Sequence, residues 1–477
     1  MDGYERVHLL SIMIDSGSTT ALLPWLASEI DRVYDRVRDL PVSPTISVDA
    51  LRRAVAAKFD LEQGRPLAEV VEAASSLLEQ HSLHVTHPRY FGLFNPSVHP
   101  SSVLADALVA LFNPQVGGWS HGPAAFEMEQ LVLRRITSAL GHDPDRTVAH
   151  FTSGGNEANH TAVVAALAHR YDDWAQRGLR ALPRQPVIYL SDESHHSFLK
   201  IARATGLGAS ALRHVHVDTA LRMRLDHLAE QVVADRAAGC DPLMVVATAG
   251  TTGAGVIDPL PDIVELSRAE GLWIHVDAAW GGAAAIVPRL RHYLDGIEHA
   301  DSITLDAHKW LSVPLGAGIL FTRHPQALSR AFGAETGYVP PTQSGGVDLY
   351  KMSMQWSRRF IGLKLLFAFA EHGQEGMARF VEHQAAMGDL LRQRLREQGW
   401  QVVNETPFPL VCFTHPRLGT DDASTKALIG RVLQRGKVWI SDVPVKGVGW
   451  VIRACITSYR TDESDLDVLL NELSACL

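Results

Sequence analysis

Three short stretches of this 477-residue chain carry side chains that could do chemistry together. Leu305-Asp306-Ala307-His308-Lys309-Trp310 closes an apolar run and sets an amine beside an imidazole. Trp273-Ile274-His275-Val276-Asp277-Ala278-Ala279-Trp280 reads as a buried strand that delivers a carboxylate at its C-terminal end. Thr152-Ser153-Gly154-Gly155-Asn156-Glu157-Ala158 opens an alanine-rich helical stretch. Its glycines let an anion reach backbone N–H groups, and the helix start adds a favourable field. An amine for an aldehyde, an anion for a ring nitrogen and a cradle for phosphate are what pyridoxal phosphate needs from a protein.

Singly, each stretch has a plainer explanation. Most lysines face solvent, a strand-end aspartate commonly satisfies backbone donors, and glycine turns often do no more than start helices. The turn is neither a Walker motif nor Gly-x-Gly-x-x-Gly. Ser191-Asp192-Glu193-Ser194-His195-His196-Ser197 follows another strand, so His195 could stack on a flat cofactor or guide a proton. No His-Glu-x-x-His spacing accompanies it, and no metal site is expected. Thr248 begins a Gly/Thr turn that could face the same crevice, and Arg358 or Arg359 could orient a carboxylate or phosphate, with plain surface charge the simpler reading for at least one of them. Phe91 and Phe94, in the loop from His87 to Pro96, and Trp119, in Gly117–Pro123, could line an apolar pocket or simply pack at domain edges.

These groups need strand ends to hold them. From Thr147 to about Thr322 short apolar runs at 187–190, 215–217, 243–247, 273–276, 302–305 and 318–321 alternate with helical patterns at 157–170, 225–237 and 260–270. That rhythm predicts an α/β fold, a mostly parallel sheet covered on both faces by helices, whose strand ends form a crevice. Before it come helical stripes around 20–37, 48 onward and 66–80, whose apolar faces need another surface, a partner subunit being one. Beyond Phe332 a Gly/Pro-rich connection, including Tyr338, reads as an active-site lid or a surface linker. Helices and strands after Arg358 make a smaller α+β unit. The expected domains are therefore a helical N-terminal dimerisation segment (1–95), a large α/β domain that binds the cofactor (96–355) and a small C-terminal α+β domain (356–477).

The formal net charge of −9 argues against a nucleic-acid partner. Cys240, Cys412, Cys455 and Cys476 form no Cys-x-x-Cys pair, which points to a reducing compartment. With no signal-peptide pattern and no charge-free run of membrane length, the expected location is the cytoplasm.

In combination and order, Ser153 to Ala158, Ser191 to His195, His275 to Ala279 and Asp306 to Trp310 resemble the group II pyridoxal-phosphate-dependent decarboxylases, the family of aromatic-amino-acid, glutamate and cysteine-sulfinate decarboxylases. The resemblance covers nearly the whole chain and implies a fold-type I homodimer with active sites between subunits. It makes Lys309 the Schiff-base lysine, Asp277 the ring-nitrogen partner and His195 the stacking histidine. Gly154, Gly155 and Asn156 become the phosphate turn, with His308 assisting, while Thr248 and Ala279 lie against the cofactor. By its place in the loop after Lys309, Tyr338 looks like the tyrosine that returns a proton, with Tyr350 near enough in sequence to compete. The activity so implied is decarboxylation of an L-amino acid to its amine, and Phe91, Phe94 and Trp119 favour an aromatic one. An acidic substrate, an aldehyde-forming oxidative deamination and a non-catalytic assembly protein are the alternatives.

Overall fold

A computed structural model describes residues 22–44, 46–334, 346–418 and 422–477. Tyr338 lies outside the described residues. The chain begins with three helices, Leu22–Arg36 (α1), Val48–Lys58 (α2) and Leu67–His81 (α3). None of α2's residues is buried, although its pattern is amphipathic. Pro100–Phe112 (α4) and Pro123–Ala139 (α5) follow, each with proline at its start, where the missing N–H costs nothing.

Seven strands form the large sheet: Val148–Thr152 (β1), Pro186–Ser191 (β2), Leu212–Val215 (β3), Asp241–Thr248 (β4), Trp273–Asp277 (β5), Ser302–Asp306 (β6) and Gly318–Thr322 (β7). Their order is β1-β7-β6-β5-β4-β2-β3. Pairing is parallel from β3 through β6, whereas β7 runs antiparallel to both neighbours. A mostly parallel sheet was legible because every residue of β2, β5, β6 and β7 is buried, and such strands read as continuous apolar runs. Two strands depart from the pattern. β1 holds a histidine and a threonine in its short span, and β3 ends where the apolar letters at 215–217 suggest that it begins, because the polar Arg213 and His214 interrupt the apolar run on this edge strand.

Helices Gly155–Arg170 (α6), Ser197–Ala204 (α7), Leu225–Ala237 (α8), Leu260–Glu270 (α9) and Pro325–Phe332 (α10) cover the sheet. α6 is buried along most of its length, with alanines at 158, 162, 165, 166 and 168 letting it lie close on the strands. The long helix Leu363–Glu397 (α11), bent at Gly373 (φ 67°), leads into the small domain. There Gln401–Val402 (β8), Leu410–Thr414 (β9), Ser441–Val445 (β10) and Gly449–Cys455 (β11) form an antiparallel sheet of order β10-β11-β9-β8, packed on Asp422–Gln434 (α12) and Glu463–Cys476 (α13). Among the described residues no helix is long and apolar enough to cross a membrane.

Candidate active site

The C-terminal ends of β4, β5 and β6 and the N-terminus of α6 converge, as a parallel sheet requires of its strand ends. Lys309 follows β6 by one turn, and its Nζ lies 2.9 Å from Asp306 Oδ2. Asp306 is buried, with Oδ1 unpartnered among the described residues. Asp277 ends β5. Its Oδ1 accepts from the Ala279 N–H at 3.1 Å, and its Oδ2 accepts from Asn159 Nδ2 at 2.8 Å. Ala279 in turn accepts the Asp306 N–H at 2.7 Å, which ties the two strand ends together.

The glycine turn lies against these groups. Glu157 and Ala158 donate to Gly154 O at 3.0 and 3.2 Å, and the N–H groups of Gly155 and Asn156 precede the first of these bonds. The nearest atom to a Cβ built on Gly154 would be His308 Cε1, at 3.7 Å, so this side of the turn is open. A Cβ on Gly155 would stand 2.8 Å from Asp306 Oδ2, and one on Gly318 would strike the Gly154 backbone at 2.5 Å. His308 Nδ1 accepts from Ala317 N–H at 3.1 Å, which leaves Nε2 to carry the ring proton on the side of Asp306, 3.9 Å away. Burial lowers the His308 pKa, opposed by the Asp306 carboxylate.

His195 is exposed on the loop after β2 and accepts the Ser197 N–H on Nδ1 at 3.2 Å. Desolvation lowers its pKa, opposed by the Asp277 carboxylate and reinforced by Lys309. The Thr248 hydroxyl lies 3.3 Å from Ser194 Oγ, while buried Asp258 accepts the Thr248 N–H at 2.8 Å and fixes the strand end. Burial raises Asp258 to about 6. An open turn of backbone donors, a strand-end carboxylate, a lysine and an exposed imidazole between them fit the phosphate, ring nitrogen, aldehyde and flat face of pyridoxal phosphate.

The three aromatic residues part company. Phe94 stacks on Trp280 with centroids 4.8 Å apart, and Lys309 Nζ is 5.5 Å from the Phe94 centroid. Phe91 is fully buried in the small-domain core, its backbone bonded to Trp439 and Cys455. Trp119 donates to Glu127 Oε1 at 2.8 Å and packs in a separate cluster that includes Val116, Phe126 and Leu349. Tyr350 is buried beside Trp356, with its N–H on Gly117 O.

Two residues at the site escaped sequence reasoning. Arg453, on β11, is 3% exposed, donates to Gly92 O at 2.7 Å and Thr252 O at 3.1 Å, and stands 5.0 Å from the Phe94 centroid. Its Nη2 is buried without a partner among the described residues. An arginine inside the apolar run Trp450 to Cys455 was the available signal. Asn159 is the other: a lone amide one helical turn past the glycines, on an otherwise alanine-rich face. Arg358, one of two arginines that could orient a carboxylate or phosphate, is 2% exposed and engaged by Phe151 O at 3.0 Å, Ser353 Oγ at 3.1 Å and Glu129 at 3.6 Å. Arg359 is largely exposed beside Asp106.

The chain matches a known family and solved relatives along most of its length. The model of the pyridoxal-dependent decarboxylase conserved domain matches residues 51–415. An aromatic-L-amino-acid decarboxylase of Bacillus atrophaeus is 28% identical over 460 residues, covering 94% of this chain and 93% of its own. The cysteine sulfinic acid decarboxylase of Homo sapiens is 30% identical over 435 residues, 87% of each chain. Among solved structures, Oryza sativa TDC with PLP and tryptamine superposes with a TM-score of 0.88 at 25% identity, over 96% of this chain and 98% of that one.

Proposed function

The chain belongs to the pyridoxal-dependent decarboxylase family, and we propose that the L-amino acid it decarboxylates carries an aromatic side chain. The observation that carries this reading is the Phe94 ring, flanked by Lys309 Nζ at 5.5 Å and by the Arg453 guanidinium at 5.0 Å. An α-amino acid presents an amine, which would take over the cofactor from Lys309, and a carboxylate, which the Arg453 guanidinium is suited to receive. Between them stands an aromatic ring, 8% exposed and stacked on Trp280, and aromatic surroundings favour a ring over a second carboxylate. The acidic alternative needs a further free cation, and Arg358 is engaged by Glu129 and Phe151.

Bound pyridoxal phosphate supplies the electron sink for loss of carbon dioxide. In this reading the chain's own groups divide the remaining work. Lys309 would hold the cofactor until substrate takes it over, and Asp277 would accept the ring N–H. The N–H groups of Gly155 and Asn156, with Gly154 and His308, hold the phosphate. His195 would cover one ring face, with Ala279 and Thr248 also placed to meet the cofactor. Arg453, presenting Nη2, orients the substrate carboxylate. For the returning proton we retain Tyr338, on its sequence position; Tyr338→Phe with an unchanged amine product and rate would remove it from that role.

The test is a panel of L-amino acids incubated with the cofactor-loaded protein, with products identified by mass spectrometry. Aromatic amines are expected. Faster turnover of glutamate, aspartate or cysteine sulfinate would refute the aromatic assignment, and an aldehyde in place of the amine would move the reaction to oxidative deamination.

A further inference from the structure

Behind Asp277 lies a line of buried polar groups that the reaction as outlined does not use. Asn159 Nδ2 reaches Asp277 Oδ2 at 2.8 Å, and Asn159 Oδ1 is 3.0 Å from His275 Nε2. His275 Nδ1 is 2.8 Å from Ser302 Oγ, which is itself 2.8 Å from Trp273 Nε1. All five side chains belong to residues no more than 5% exposed. The elements make this arrangement unavoidable. Trp273, His275 and Asp277 alternate along β5 and so share one face, which α6 covers with Asn159. His275 pairs directly with Ser302 across the β5–β6 ladder.

The two ends fix the direction of every bond. An indole N–H can only donate, so Ser302 Oγ accepts from Trp273. A carboxylate can only accept, so Asn159 gives its amide N–H to Asp277 and turns its carbonyl to His275. His275 must then donate through Nε2. Its burial, with no water to stabilise a charge, lowers the imidazole pKa to about 4, so near neutral pH Nδ1 is a bare acceptor for the Ser302 hydroxyl. Each hydrogen in the chain points toward Asp277, and such aligned bonds polarise one another in a low-dielectric interior.

We propose that His275, acting through Asn159, is the positioning residue that holds Asp277 as acceptor of the cofactor's ring N–H. Asp277 is then restrained at both oxygens, by Ala279 N–H and by Asn159, each oxygen keeping a lone pair for the cofactor. Without the imidazole donor, the Asn159 amide is free to turn and present its oxygen to the carboxylate, which pushes Asp277 away. The inference is independent of which amino acid is decarboxylated.

The experiment loads 15N-labelled pyridoxal phosphate into wild type, His275→Leu and His275→Gln and records the ring-nitrogen resonance. Glutamine can place an N–H where Nε2 stands, and leucine cannot. Wild type and His275→Gln are expected at the protonated-pyridine position, with His275→Leu displaced toward neutral pyridine while still binding the cofactor. A wild-type resonance in His275→Leu, or an equal displacement in both variants, would overturn the proposal. Should His275→Leu not fold, Ser302→Ala removes the hydroxyl between Trp273 and His275 and leaves His275 and Asn159 in place: a smaller displacement in the same direction supports the chain, and none refutes it. In the cofactor-free protein, side-chain NMR is expected to find His275 as the Nε2–H tautomer at pH 7; the Nδ1–H tautomer would refute the assigned direction.

Discussion

Replacing Arg453 by methionine separates substrate recognition from cofactor chemistry. The change keeps a long apolar stem beside Phe94 and removes a guanidinium whose Nη2 is buried and unpartnered among the described residues. Losing one member of a buried, hydrogen-bonded charge pair costs on the order of 2–5 kcal/mol. Taking about 3 kcal/mol, and 1.36 kcal/mol for each factor of ten, the expected fall in kcat/KM is roughly 100-fold. Part of any loss could instead be structural, since Gly92 O and Thr252 O each lose a donor, at about 1–3 kcal/mol apiece in folding stability. The product amine, which has no carboxylate, distinguishes the two. Its inhibition constant should stay within about 2-fold of wild type while the amino acid binds far more weakly, because truncation removes a contact that only the carboxylate makes. Equal weakening of amine and amino acid, or a kcat/KM within about 5-fold of wild type, would refute the role given to Arg453.

Gly155→Ala puts a methyl 2.8 Å from Asp306 Oδ2, so the helix start must shift, and cofactor affinity measured by titration should weaken at least about tenfold; wild-type affinity would show that the turn does not hold the phosphate. His150 is fully buried, and desolvation lowers its pKa from 6.5 to about 4. Between those values the unfolded chain binds the extra proton, so wild type loses stability as pH falls through this window, by about 2 kcal/mol between pH 6.5 and 5. In His150→Gln that loss is absent, so the variant's deficit in urea unfolding should shrink by that amount from pH 7 to pH 5, and a constant deficit would refute the assignment. Leu111 (69% exposed), Phe112 (77%) and Leu131 (64%) present apolar surface on α4 and α5, and α2 buries nothing within the chain, which supports a homodimer; light scattering should give twice the 52.2 kDa mass, and a monomer at micromolar concentration would exclude it.

What could be read from the sequence was the chemistry that is local in the chain. Gly154–Gly155 starts a helix, Asp277 ends a strand, and Lys309 follows another by one turn, so each role is coupled to a secondary-structure boundary that composition marks. The parallel sheet followed from continuous apolar runs, and its crossovers bring all three boundaries to one edge. What could not be read was convergence between units. Phe91 and Phe94 lie within one loop, yet Phe91 enters the small-domain core while Phe94 faces Lys309, and no periodicity separates them. Arg453 reaches the site only because β11 packs against the Thr252 turn and the Gly92 loop, which are distant in sequence. Its charge within an apolar strand marked it as unusual without saying what it would meet. The same limit hides the chain behind Asp277: spacing along β5 puts His275 on the face of Asp277, but only the β5–β6 register and the rotation of α6 supply Ser302 and Asn159. A motif therefore names the groups proposed to touch the cofactor, whereas those proposed to orient them come from neighbouring elements, where a single polar letter in an apolar run is the trace they leave in sequence.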